Sequence, residues 1–127
     1  MGITKKIACL FMLIALASCY RVERDCKDFR TGTFEFSYML DGKEVKSTFV
    51  RNDSINIDYI GEHIDTASVT WVSDCEFIMR KLHPTSMIEK KAVQVKILMT
   101  DEDSYTFEYA IVGDEKNKKR GTAVRIE

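Results

Sequence analysis

From Gly32 onward the apolar residues recur at every second position, in short runs separated by turn-forming residues. Phe34, Phe36, Tyr38 and Leu40 share one face, with Thr33, Glu35 and Ser37 opposite, the pattern of a strand half-buried in a sheet. Asp41-Gly42 follows, a two-residue hairpin signal because both positions accept positive φ. Val45, Ser47 and Phe49 alternate with Lys46 and Thr48 in a second strand, and Asn52-Asp53-Ser54 turns the chain. Ile55, Ile57 and Tyr59 alternate with Asn56 and Asp58 in a third, which Gly61-Glu62 breaks. Ala67, Val69 and Trp71 define a fourth, and Cys75, Phe77 and Met79 a fifth after the Ser73-Asp74 turn. His83-Pro84 stops that strand, and Ser86 and Glu89 have capping-box spacing, predicting one or two helical turns over 86–92. Val93, Val95, Ile97 and Met99 form a sixth strand, and Tyr105, Phe107, Tyr109 and Ile111 a seventh. Beyond a charged loop from Gly113 to Gly121, Thr122, Val124 and Ile126 form the last.

About eight short strands joined mainly by tight connections predict an all-β fold, an antiparallel meander. Such a sheet exposes two edges unless it closes, so a small up-and-down barrel or a curved half-barrel is favoured. A two-sheet sandwich is the alternative, because alternation alone does not choose between them. The inward faces carry Phe34, Phe36, Tyr38, Tyr59, Trp71, Phe77, Tyr105, Phe107 and Tyr109. Bulk of this kind fills an eight-stranded barrel, so a solid interior is expected over a cavity.

The first residues break the period. Lys5 and Lys6 precede Ile7 to Ala17, an apolar run without a charge. It is too short for an ordinary membrane-spanning helix, which needs roughly 20 apolar residues, and has the length of a signal-peptide core. Leu16-Ala17-Ser18-Cys19 resembles the bacterial lipobox. The resemblance implies that 1–18 is a signal-peptide helix, cut before Cys19, and that Cys19 carries lipid on its thiol and its amine. Residues 19–31 then read as a tether and 32–127 as the β-domain. Tyr20 follows the cysteine, where an aspartate is an inner-membrane retention signal in some bacteria, so the outer membrane of the cell envelope is the favoured location.

Cleavage changes the charge and the cysteine count. Without Lys5 and Lys6 the 19 basic residues become 17 against 20 acidic ones, a formal charge of −3 over 109 residues. This is not the basic footprint of a nucleic-acid partner. Of four cysteines, Cys9 leaves with the signal and Cys19 takes lipid, so Cys26 and Cys75 remain. An exported pair favours a disulfide, the alternative being two free thiols, one of them a small buried hydrophobe.

The order Cys19, Cys26, Gly32-x-Phe34, Asp-Gly hairpin and Trp71-x-x-Asp74-Cys75 resembles a group of small bacterial lipoproteins with lipocalin-like β-sheets, some of which carry a topoisomerase IV label. A topoisomerase needs a tyrosine nucleophile within a large multidomain ATPase and metal apparatus, for which 109 residues have no room. The group implies the fold and the lipid anchor but no activity.

Candidate chemistry is sparse. His63 and His83 lie at no metal-binding spacing, and Glu62, His63 and Asp65 read as a solvated turn. Asp101, Glu102 and Asp103 lack the glycine and the distant glutamate of a calcium loop. Lys116, Lys118, Lys119 and Arg120 form a basic loop able to touch acidic headgroups or glycans. No serine elbow or phosphate loop is present. No catalytic residue, metal ligand or cofactor is therefore expected, and no ligand-binding residue is singled out. The reading is a membrane-anchored, non-enzymatic binding or accessory domain, its partner being a protein or a small apolar ligand. The alternatives are a structural envelope protein without a ligand and a small hydrolase built on Asp58, His63 and Asp65.

Overall fold

The computed structural model describes residues 24–127. The strands are β1 (Gly32–Leu40), β2 (Lys43–Arg51), β3 (Ile55–Ile60), β4 (His63–Ser73), β5 (Glu76–Lys81), β6 (Val93–Thr100), β7 (Ser104–Ile111) and β8 (Lys119–Arg125). Each pairs antiparallel with the next, and β8 returns to β1 through Phe34–Arg125, Glu35–Val124 and Phe36–Ala123, closing an up-and-down barrel. Closure removes both sheet edges. Asp41 (φ 51°) and Gly42 (φ 77°) make the tight turn that their identities predict.

Because the strands alternate in direction, the connections divide between two ends. At one end, here the base, lie 52–54, 74–75, 101–103 and the entering chain. At the other, the mouth, lie 41–42, 61–62, 82–92 and 112–118. The base is plugged. A 3-10 turn over Cys26–Phe29 buries Cys26 and Phe29, so these two residues of the segment read as tether belong to the core. The Phe29 ring packs on Tyr105 (centroids 5.2 Å) and Phe34 (6.2 Å). Arg125 donates to the carbonyls of Thr31 and Asp28, and Arg51 to those of Phe29 (2.5 Å) and Arg30 (3.4 Å). Cys26 and Cys75 are joined as a disulfide, with Cα atoms 5.2 Å apart.

Three strands depart from the expected pattern. In β3 the period is as predicted but the phase is reversed: Asn56 and Asp58 point inward, and Tyr59, expected inside, is 41% exposed. Register decides this, because Asn56 pairs with Arg51 and Asp58 with Phe49, and paired residues share a face. In β8 the inward set is Gly121, Ala123 and Arg125, while Val124 and Ile126 face out. The rings of Phe36 and Phe107 leave no room for more, since a Cβ on Gly121 would lie 2.3 Å from Phe36 Cε2. In β6 a bulge between Ile97 and Met99 turns Met99 outward. Residues 86–92 form turns rather than a helix, although Glu89 N–H does bond Ser86 Oγ at 3.2 Å.

Candidate functional site

The interior is solid at the base but not at the mouth. Phe29, Phe34, Phe77 and Ile97 are fully buried in the lower half. Above them lies a cavity of about 190 Å³, contrary to the expectation of a filled barrel. Its wall is Phe36, Phe49, Phe77, Met79, Val93, Val95, Phe107, Tyr105 and Tyr109, and three polar residues join it: Arg51, Asn56 and Asp58. Of the aromatic residues expected inside, Tyr59 faces out, and with Gly121 and Ala123 turned inward less bulk fills the barrel.

Arg51 is the floor of this cavity. It ends β2 on the inward face set by Ser47 and Phe49 and is only 3% exposed. Burying a guanidinium costs several kcal/mol unless its donors are satisfied. Nη2 and Nε do so on the Phe29 and Arg30 carbonyls. The guanidinium carbon also lies within 6 Å of five ring centroids, the nearest being Phe77 (4.8 Å) and Phe34 (5.2 Å). Cation–π attraction to each ring offsets part of the desolvation. Among the described residues no carboxylate lies within ion-pair distance of Arg51.

Asn56 is buried beside it, and its Nδ2 donates to Asp58 Oδ2 at 3.1 Å. Asp58 stands one step nearer the mouth. Burial, reinforced by the charge of Asp65 across the β3–β4 ladder, pushes its carboxyl up to about 6, against the opposing pull of Lys81, Arg51 and the Asn56 bond. Burial also raises the phenols of Tyr105 and Tyr109, which therefore stay protonated donors.

At the rim, Lys81 Nζ joins Asp65 and Glu89, each at 2.8 Å. Glu89 also accepts from the backbone and hydroxyl of Thr85. Lys81 and Thr85 hold the Glu89 carboxyl well down, at about 2. This knot fastens the 82–92 loop to the barrel wall. The mouth is otherwise ringed by exposed apolar side chains: Met39, Ile60, Ile64, Leu82, Met87, Ile88 and Val112.

The other sequence candidates fall elsewhere. Asp58 and Asp65 are brought together on the inner face, but His63 opens β4 at the rim, exposed and paired with Ile60, and does not join them. Asp101, Glu102 and Asp103 form a turn at the base, and the described residues hold no group of three or more side chains able to bind a metal. Lys116, Lys118, Lys119 and Arg120 lie at the mouth, with Lys118 3.7 Å from Glu108. Cys19 and the signal segment lie outside the described residues. Compared with protein families, curated proteins and solved structures, the chain matches none.

Arg51 and Asn56 were missed as site residues. One signal was present: continuing the parity of Val45, Ser47 and Phe49 by one step puts Arg51 on the inner face, and its hairpin partner Asn56 follows.

Proposed function

We propose that the chain is a lipoprotein of the bacterial envelope, anchored through Cys19, most simply in the outer membrane, whose barrel binds a small and largely apolar ligand through its mouth. The observation that carries the binding role is the aromatic-walled cavity of about 190 Å³, with Arg51, Asn56 and Asp58 at its polar end. An apolar pocket with a few convergent polar groups is the usual form of a small-molecule site. This one is smaller than the roughly 300–1,000 Å³ of sites for drug-sized compounds, so it suits a ligand of about one ring. The test is a panel of one-ring compounds followed by methyl NMR of the chain. The expected result is that signals of Met79, Val93 and Val95 move while those of Val50, Val72 and Val124 on the outer face do not. A panel that leaves the inner methyls unmoved overturns the binding role.

A further inference from the structure

Arg51 keeps donor capacity in reserve. A guanidinium carries five N–H donors; in Arg51 the Arg30 and Phe29 carbonyls take one each from Nε and Nη2 and the Tyr105 phenol is a further partner, while the side chain lines the cavity. A guanidinium shielded from water and lacking a carboxylate is matched best by a carboxylate from outside, which meets its planar fork of donors with charge and geometry together. Asp58 occupies the diagonal position on the neighbouring strand, on the same inner face. Diagonal neighbours in an antiparallel pair stand roughly 7–8 Å apart at the backbone, so the two side chains face the same part of the cavity. As a carboxylate Asp58 repels such a guest; as a carboxylic acid it donates to it. The groups facing Asp58 are Arg51 from β2, Asn56 on its own strand, Asp65 from β4, Lys81 from β5, and Tyr105 and Tyr109 from β7. The volume limits the rest of the guest: a dry apolar cavity of about 150 Å³ takes a benzene-sized ring.

We infer that the cavity takes a small carboxylic acid with a one-ring or short branched body, its carboxylate held between Arg51 and Asp58, and that Asp58 takes one proton from solvent as the acid enters. The inference rests on the binding role proposed above and names the ligand class of that site. The guest arrives as an anion, the proton comes from water, and the bound state holds a neutral Asp58 donating to an anionic guest that also faces Arg51.

The test is calorimetric titration of the full-length chain with sodium benzoate and, separately, benzyl alcohol, between pH 5.5 and 8 and in two buffers of different ionisation heat. Benzoate is expected to bind with uptake of one proton above pH 6, its Kd rising about tenfold per pH unit there. Asp58→Asn is expected to flatten that profile while keeping benzoate affinity at pH 8. Arg51→Gln is expected to weaken benzoate binding far more than benzyl alcohol binding. Should Arg51→Gln not fold, the wild-type pH profile and Asp58→Asn decide alone. Benzyl alcohol binding without benzoate overturns the acid class and leaves the binding role standing. A pH-independent Kd for benzoate overturns the proton uptake. Binding of neither compound overturns both the inference and the binding role beneath it.

Discussion

The surroundings of Asp58 oppose its charged form. Its carboxyl titrates at about 6 in the folded chain, against 3.8 for the ordinary group. The folded state therefore holds this proton more tightly than the unfolded chain does. The sign follows: Asp58 costs no stability below pH 4, and a penalty grows as pH rises through 6. The difference corresponds to about 3 kcal/mol at full ionisation. Asp58→Asn keeps an acceptor for the Asn56 amide and removes the penalty. Urea denaturation is expected to show the variant more stable than wild type by about 1–3 kcal/mol at pH 8 and equal to it at pH 4. Arg51 has the opposite character, because its bonds to Phe29 and Arg30 hold the base plug. Arg51→Ala leaves those carbonyls without their donor and opens space among five rings. A loss of about 3 kcal/mol is expected in the same assay at neutral pH.

At the scale of elements, period was legible in the sequence and phase was not. All eight strands appear where alternation predicts them, because period two is imposed by backbone pleating whatever lies on either side. Which face turns inward is set by the neighbours. Ile55-x-Ile57-x-Tyr59 has every local mark of an inward face, yet the short Asn52–Ser54 connection sets Asp58 opposite Phe49, and the apolar set goes out. In β8, Gly121 and Ala123 face the core because Phe36 and Phe107 already occupy the volume, a fact that no window on β8 contains. The polar end of the cavity arises from the first of these reversals, which is why Asn56 was not foreseen. The disulfide is the element-scale feature the cysteine count did anticipate, and it ties the entering 3-10 turn to the β4–β5 connection. It spans 49 residues, and closing a loop of that size stabilises a fold by about 4 kcal/mol in the chain-entropy model. The Cys26→Ser/Cys75→Ser double variant is expected to lose up to that amount, with fluorescence of the adjacent Trp71 following the unfolding.

At the scale of the whole molecule, the proposed anchor governs where the barrel operates. Cys19→Ala is expected to abolish incorporation of a labelled fatty acid and to leave an uncleaved or soluble species. Label retained on that variant overturns the lipobox reading. The barrel itself is held at one end by packed aromatics, and at the other the Lys81 knot fastens the 82–92 loop. Hydrogen exchange is accordingly expected to be faster in the 82–92 loop than in the strands beside it.

The entry of the chain at the base gives the barrel a direction. Arg24 donates to the Ile97 carbonyl and Asp25 N–H to Thr100, so the first described residues are fastened low on β6. Four residues lie between Cys19 and Arg24, so the reach is at most about 18 Å. With lipid on Cys19, the plugged end is thereby leashed close to the bilayer. A nine-residue strand, shortened by its tilt, sets the opposite rim on the order of 20 Å farther out. The opening then looks away from the lipids that hold the protein, and its collar of Met87, Ile88 and Ile64 is offered to whatever stands across the aqueous gap. Under the proposed anchor and binding role, a guest would reach the interior from solution or from an opposing surface rather than from the home leaflet. A nitroxide on Asp53 is expected to be broadened by paramagnetic lipid in that leaflet, and one on Gly42 to be left sharp.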